Sequence, residues 1–150
     1  MITMEPIGYV QSDVAQQTDT HWGKVTSRIV VDEALKDGLT GLDAFSHVLV
    51  VYYLNEAKFV KERHIVRRPQ GREDMPMTGI FAQRSKDRPN TIGITAVKLI
   101  SVEDNVITVE GLDAIHNTPV LDIKAYLPQF DRREDATVPE WVNTLMAEYF

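Results

Sequence analysis

The chain of 150 residues, 43% hydrophobic and 25% charged, has an ordinary globular composition and can bury a sizeable core in a single domain. Its formal net charge of −6 argues against a generic nucleic-acid binder, and no apolar run approaches the roughly 20 residues of a membrane helix. The N-terminus lacks a signal-peptide pattern, and the absence of cysteine excludes disulfides, thiolate zinc sites and a cysteine nucleophile, so we expect a cytoplasmic protein.

In the N-terminal half, alternation of apolar and polar residues predicts a short strand over residues 6–12 and a second over 22–31. Residues 32–41 are typical of a short helical turn that ends at glycine. The nearly continuous apolar run over 45–54 predicts a strand that is buried on both faces. A charged loop is expected over 55–78.

In the C-terminal half, we predict strands near 79–83 and over 93–103, 106–112 and 119–126. About seven strands and little helix favour a mainly β fold, namely a small, mostly antiparallel β-barrel with a C-terminal helix, in one domain over 1–150.

The predicted C-terminal helix spans 139–150 and carries an apolar stripe. The stripe is expected to dock within the chain or against another subunit. Its members are Trp141, Val142, Leu145, Met146 and Tyr149.

The densest polar motif, over 79–95, places Arg84, Ser85, Arg88 and Asn90 between two predicted strands. Proline and asparagine fix the shape of such a loop, so the motif indicates a site for a polar ligand. The alternative is a rigid surface turn.

Positive charge is concentrated between residues 58 and 88, where nine Lys or Arg and four acids give +5, whereas the remainder carries −11. Such a patch on an acidic protein suits a partner that carries phosphates. A solvated charged loop explains the charge equally well.

Several common chemistries are not indicated. No two glycines lie two residues apart, so the Rossmann fingerprint is missing, and there is no P-loop. The four histidines lack metal-ligand spacing, so no metal is expected. Ser46 and His47 are not expected to form a nucleophile–base pair because strand neighbours point to opposite faces, and His47 is interpreted as a structural histidine.

A second polar segment runs from Gly111 to Tyr126. Asp113 ends a predicted strand, and Asp122 and Lys124 lie on one face of the next. The latter two form either a structural ion pair or part of a pocket with the arginines of the 79–95 motif, and spacing alone leaves both interpretations open.

Taken together, the motifs resemble the TsaA-like (YaeB, UPF0066) family, over about residues 5–131. The matching stretches are Phe45-Ser46-His47, the Gly79–Asn90 motif with Ile92-Gly93, and Thr118–Tyr126. The resemblance implies a small dimeric β-barrel that binds S-adenosylmethionine near the subunit junction. The activity that it implies is methylation of tRNA at N6 of the threonylcarbamoyladenosine beside the anticodon.

Carried over by position, the resemblance implies a set of cofactor-binding residues: Arg84, Ile94, Asn55, Glu56, Asp113, His116, Asn117, Thr118, Pro119 and Trp22. Asp113 suits a cationic sulfur, and arginine suits a carboxylate. The substrate is expected to contact Arg67, Arg68, Arg88, Asn90, Asp122, Lys124 and Tyr126.

The chain departs from the family pattern in places. His116-Asn117 stands where the family has Asp-Gly, and Thr91 and Ala125 replace prolines. After glycine, asparagine is the residue that most readily adopts a positive φ, so the turn can keep its shape. Alternatives to a tRNA methyltransferase are a protein that binds S-adenosylmethionine without turnover and a small-molecule methyltransferase.

Overall fold

The computed structural model describes residues 1–150 and confirms the mainly β fold. The strands are β1 (Gly8–Gln11), β2 (Thr26–Val31), β3 (His47–Tyr53), β4 (Val66–Arg67), β5 (Thr78–Gly79), β6 (Ile92–Glu103), β7 (Val106–Glu110) and β8 (Pro119–Ala125). The α-helices are α1 (Lys61–His64), α2 (Pro128–Asp131) and α3 (Glu140–Met146). None of them combines the length and the apolar character that crossing a membrane requires.

The barrel closes in the order β1-β2-β7-β6-β3-β8, with antiparallel pairing throughout, while β4 and β5 form a separate two-stranded sheet. Closure gives every barrel strand a neighbour on both sides, so none of the six is a free edge strand. Branched aliphatic side chains fill the interior, because they pack well on a pleated surface. Among the fully buried ones are Val10, Ile29, Val48, Val50, Ile107, Val109 and Val120.

The apolar run over 45–54 forms one strand, but the prediction that both of its faces are buried is wrong. Val48, Val50 and Tyr52 point into the barrel, whereas Tyr53 on the outer face is 44% exposed. A continuous apolar run indicates burial on both faces only where layers cover both sides of a sheet, and a closed barrel leaves its outer face open.

The predicted strand at 79–83 is also wrong. After β5 the chain turns through a 3-10 helix at Ile80–Ala82. The buried side-chain amide of Gln83 donates to the carbonyl oxygen of Thr78 at 2.7 Å, which folds the segment back on itself. Ile80 is buried while Phe81 is 80% exposed, so the apolar residues are split between core and surface.

Other predicted elements form with shifted ends. The strand expected over 22–31 begins only at Thr26, because the N–H of Val25 donates to the carbonyl of Trp22 at 3.1 Å and closes a turn. The segment predicted as a helical turn over 32–41 is a 3-10 helix, and Gly41 follows it with φ of 84°.

The C-terminal helix ends earlier than predicted, at Met146, and the chain then runs beside residues 21–23. The N–H of His21 donates to Glu148, and that of Trp22 donates to Tyr149, both at 2.7 Å. These bonds hold the end of the chain against the barrel.

Gly93 on β6 pairs with Tyr52 on β3 at a close approach of the two strands. A Cβ at position 93 would overlap the Tyr52 ring. Tyr52 directly follows a register shift between β3 and β8, and such bulges redirect side chains. The glycine therefore makes room for one particular ring.

We expect Gly93→Ala to lower the free energy of unfolding by about 1–3 kcal/mol, because the Tyr52 ring must shift within a packed barrel. Urea denaturation measures this change. Gly38→Ala is the matched control, since a Cβ there meets nothing within 4 Å. Equal stability of the two variants would contradict the tight packing at position 93.

Candidate functional site

An open cleft of about 610 Å³ lies between one end of the barrel, the 82–88 loop and the C-terminal segment. Its floor is formed by Tyr52, Gly93 and Asp113. Apolar side chains line it from two sides: Leu54, Ile92 and Ile94 on the barrel, and Trp141, Val142, Leu145 and Met146 on α3.

The carboxylate of Asp113 is the centre of the polar network in this cleft. Tyr52 donates to its Oδ1 atom at 2.9 Å, and the hydroxyl of Thr95 donates to the same oxygen. Tyr149, beyond α3, donates to Oδ2. Three hydroxyl groups from distant parts of the chain thus converge on one carboxylate, which no Lys, Arg or His pairs with.

The same network changes the acidity of both phenols. Burial, and then the negative charge of Asp113, raise the pKa of Tyr52 well above its ordinary value. The same two causes raise the pKa of Tyr149. Both phenols therefore remain hydrogen-bond donors throughout the physiological range.

The 79–95 motif lies on the cleft wall. Arg84 donates from Nη2 to the carbonyl of Ile94 at 2.5 Å, and its side chain borders the cleft. Arg88 donates to the carbonyls of Gln83 at 3.0 Å and Ser85 at 3.1 Å, which fixes the loop. Arg84 remains exposed, whereas the Arg88 guanidinium is partly used internally.

Most of the residues predicted to bind a cofactor line this cleft. The ones that do are Trp22, Asn55, Glu56, Arg84, Ile94 and Asp113. Asn55 and Glu56 are exposed at the end of β3, and Trp22 is buried with its indole N–H donating to Thr18. The structure therefore brings together residues up to 91 positions apart in the chain.

The predicted turn residues His116, Asn117, Thr118 and Pro119 do not line the cleft. Asn117 adopts φ of 70°, the conformation for which glycine or asparagine is suited. His116 Nδ1 accepts from the N–H of Ser12 at 3.2 Å, and the Thr118 hydroxyl donates to Ile115 at 2.8 Å. The hydrogen bonds of this turn are therefore made to other residues of the chain, away from the cleft.

The residues predicted to bind substrate are scattered. Arg67 borders the cleft, as Arg88 does, and lies 3.9 Å from Asp87. Arg68 lies outside it and donates to the carbonyl of Met75. Asn90 is exposed, and its carbonyl accepts from Ile92 at 2.8 Å.

Asp122 and Lys124 form an ion pair of 2.8 Å on β8, and neither lines the cleft with Arg84. This geometry agrees with a structural ion pair and not with a pocket shared with the arginines of the 79–95 motif. Tyr126 lies at the other end of β3, where its ring centroid is 6.1 Å from that of His47.

The argument that strand alternation turns Ser46 and His47 to opposite faces is wrong. The Ser46 hydroxyl lies 2.7 Å from His47 Nδ1. Because β3 begins at His47, Ser46 is outside the strand and escapes the alternation of faces. Both side chains are exposed and lie away from the cleft.

Tyr52, Thr95 and Tyr149 were not predicted as polar members of the site. Tyr52 and Thr95 occupy inward positions on β3 and β6, and a hydroxyl at an inward position of a barrel strand is a signal that could have identified them. Tyr149 was predicted only as part of an apolar stripe.

Comparison with known proteins adds to this geometry. The family model described as the tRNA-methyltransferase O N-terminal domain matches residues 10–132. A probable S-adenosyl-L-methionine-binding protein of Pyrococcus abyssi is 32% identical over 143 residues, covering 92% of this chain and 75% of that protein. An S-adenosyl-L-methionine-binding protein of Archaeoglobus fulgidus is 34% identical, covering 85% and 91%.

Longer proteins match too. The human tRNA (adenine(37)-N6)-methyltransferase is 33% identical over 90% of this chain, which spans only 32% of that enzyme. A crystal structure of TrmO from Pseudomonas aeruginosa superimposes with a TM-score of 0.75 and 26% identity, covering 93% of this chain and 61% of that one.

The raised pKa of Tyr52 predicts a fall in stability above about pH 10, where an unfolded tyrosine loses its proton and the folded one keeps it. One such group contributes a slope of up to about 1.4 kcal/mol per pH unit. Urea unfolding at several alkaline pH values should show a shallower decline for Tyr52→Phe than for the unmodified chain. Tyr53→Phe controls for the loss of an exposed phenol, and parallel curves for Tyr52→Phe and the unmodified chain would contradict the prediction.

Proposed function

The chain belongs to the tRNA-methyltransferase O family, and on that premise we propose that it is an S-adenosylmethionine-dependent methyltransferase of tRNA. Its proposed target is N6 of the threonylcarbamoyladenosine beside the anticodon. The observation that carries the proposal is the cleft itself, in which Asp113, Arg84 and two apolar walls come together.

The residues of the cleft fit this cofactor. A volume of about 610 Å³ lies within the usual range of ligand pockets. Asp113 and Glu56 can accept hydrogen bonds from an ammonium group or ribose hydroxyls, and Arg84 can bind a carboxylate. The apolar walls suit a purine ring.

The proposed chemistry requires mainly orientation. Bound S-adenosylmethionine supplies a methyl group on a positively charged sulfur. The chain aligns the reactants between its apolar walls and supplies carboxylates, which favour the positive charge of the sulfur. We assign no general base, because the acceptor nitrogen can release its proton to water.

Recognition of tRNA is assigned to the basic segment 58–88, whose cations differ in availability. Arg72 pairs with Asp74 at 2.7 Å, and Arg68 is bonded to backbone. Lys61 and Arg63 on α1 are exposed and form no ion pair, so they are better placed to meet phosphates.

A second candidate is a protein that binds S-adenosylmethionine without turnover. What favours it is that the two archaeal relatives, of which this chain covers 75% and 91%, are named only as binding proteins. A small-molecule methyltransferase remains the third candidate.

We also propose that the chain is a cytoplasmic homodimer. The dimer is supported by exposed apolar side chains around β4 and β5, where Val66, Met77 and Phe81 are 49%, 60% and 80% exposed. Exposed apolar patches are typical of protein interfaces. A monomer mass by light scattering would contradict the dimer.

Calorimetry with S-adenosylmethionine, followed by transfer of labelled methyl to tRNA from a host without its own enzyme, tests the function. Binding and transfer are the expected results. Binding without transfer to tRNA favours the second or third candidate, and no heat of binding would rule out the first two together.

We expect Arg84→Ala to weaken S-adenosylmethionine binding about tenfold or more, because a charge-assisted hydrogen bond is removed. Calorimetry measures the dissociation constant. Arg72→Ala is the matched control, since Arg72 lies outside the cleft and pairs with Asp74. Equal affinities for the two variants would remove Arg84 from the cofactor site.

Replacing Lys61 and Arg63 together by alanine should weaken tRNA binding and flatten its salt dependence, by up to about 0.9 in the log–log slope for each phosphate that the variant no longer neutralises. S-adenosylmethionine affinity should stay the same. Filter binding over a salt series measures the slope, with Arg28→Ala on the outer face of β2 as control. An unchanged slope would show that this part of the segment is only a solvated surface.

A further inference from the structure

The segment from Pro139 to Phe150 forms one side of the cleft, although it lies outside the family-matched residues 10–132. Its apolar side chains are half-buried and face the cavity; none is part of the barrel core. They are Trp141, Val142, Leu145, Met146 and Tyr149. An apolar helix face that borders an open cavity has surface available for a ligand.

The end of this segment is held at several points. Backbone bonds of 2.7 Å join His21 to Glu148 and Trp22 to Tyr149. The Tyr149 hydroxyl donates to Asp113, and Phe150 packs over Gly23, where an added Cβ would lie 2.6 Å from the Phe150 backbone. The segment is therefore fixed against the barrel at a defined place.

The two walls of the cleft are apolar, whereas its floor is polar. Leu54, Ile92 and Ile94 on the barrel provide one apolar surface, and α3 provides the other with an indole at Trp141. Asp113 stands at the floor as a hydrogen-bond acceptor. A ligand that matches the apolar walls and the polar floor is planar and apolar on its faces and carries hydroxyl or amine donors at one end. A purine nucleoside has this chemistry.

We propose that residues 139–150 complete a purine-nucleoside site within the same chain, with Trp141 contacting the base and Tyr149 positioning Asp113 for the donors of the ligand. This inference rests on the proposed function, because the purine belongs either to S-adenosylmethionine or to the acceptor nucleotide. The Tyr149 hydroxyl donates to Oδ2 and keeps the C-terminal wall in place, while Tyr52 and Thr95 donate to Oδ1, so the acceptor position left for the ligand is on Oδ2.

The test uses the full chain with Trp141→Ala, and with Tyr149→Phe as a second variant that keeps the ring. Removing the stacking of a base on an aromatic ring costs about 1–3 kcal/mol of binding free energy, which raises the dissociation constant roughly 5- to 150-fold. Calorimetry with S-adenosylmethionine and with adenosine should show this weakening for Trp141→Ala and a smaller one for Tyr149→Phe. Phe130→Ala, an aromatic side chain 72% exposed and outside the cleft, is the matched control.

The source of the purine is distinguished by the two arms. Weaker S-adenosylmethionine binding assigns the wall to the cofactor, whereas a raised KM for tRNA at unchanged S-adenosylmethionine affinity assigns it to the acceptor base; either supports the inference. Unchanged values for both ligands and for adenosine in folded Trp141→Ala and Tyr149→Phe overturn it. If the unmodified chain binds adenosine through Trp141 but neither S-adenosylmethionine nor tRNA, the site stands and the proposed function fails.

Discussion

The hydrogen bonds to Asp113 are the interaction on which the cleft depends. A partly buried carboxylate without a cationic partner is costly unless donors satisfy it, and here hydroxyls from β3, β6 and the C-terminal segment do so. Two of these hydroxyls belong to neighbouring barrel strands, and the third belongs to the C-terminal segment across the cleft. Together with the backbone bonds from His21 and Trp22, this charged group links the barrel end to the C-terminal wall, because moving either would leave the carboxylate with fewer donors.

The barrel supplies the rigidity that this network requires. Tyr52 and Thr95 project inward from neighbouring strands whose register is fixed by a long antiparallel ladder. The register shift beside Tyr52 and the absence of a side chain at Gly93 give the tyrosine ring its place. A polar pair at inward positions would weaken an ordinary core, but at the end of the barrel it meets Asp113 and the open cleft.

Sequence reasoning succeeded where the signal is local. Alternation of apolar and polar residues located the barrel strands, and the backbone preference of asparagine anticipated the conformation at Asn117. It failed at 79–83, because a side-chain bond from Gln83 across the loop overrides the apolar pattern. The partners of Asp113 lie 18, 36 and 61 residues away, and their convergence depends on strand register, which no local pattern specifies.

Charge counting illustrates the same limit for function. The net +5 of residues 58–88 indicates a partner with phosphates, yet folding engages several of these cations within the segment. Asp87 is one example: its carboxylate lies 3.8 Å from the His64 ring nitrogen and 3.9 Å from the Arg67 guanidinium, and it accepts from the backbone N–H of Lys58 at 3.1 Å. Lys61 and Arg63 on α1 and Lys58 just before it remain exposed, while Arg84 borders the cleft. The cations that shape the loop are thus distinct from those that are free to meet a polyanion. Replacing a cation that holds the loop together changes the shape of the cleft wall as well as the electrostatic potential at the surface. The effect of such a substitution on tRNA binding therefore cannot be attributed to charge alone.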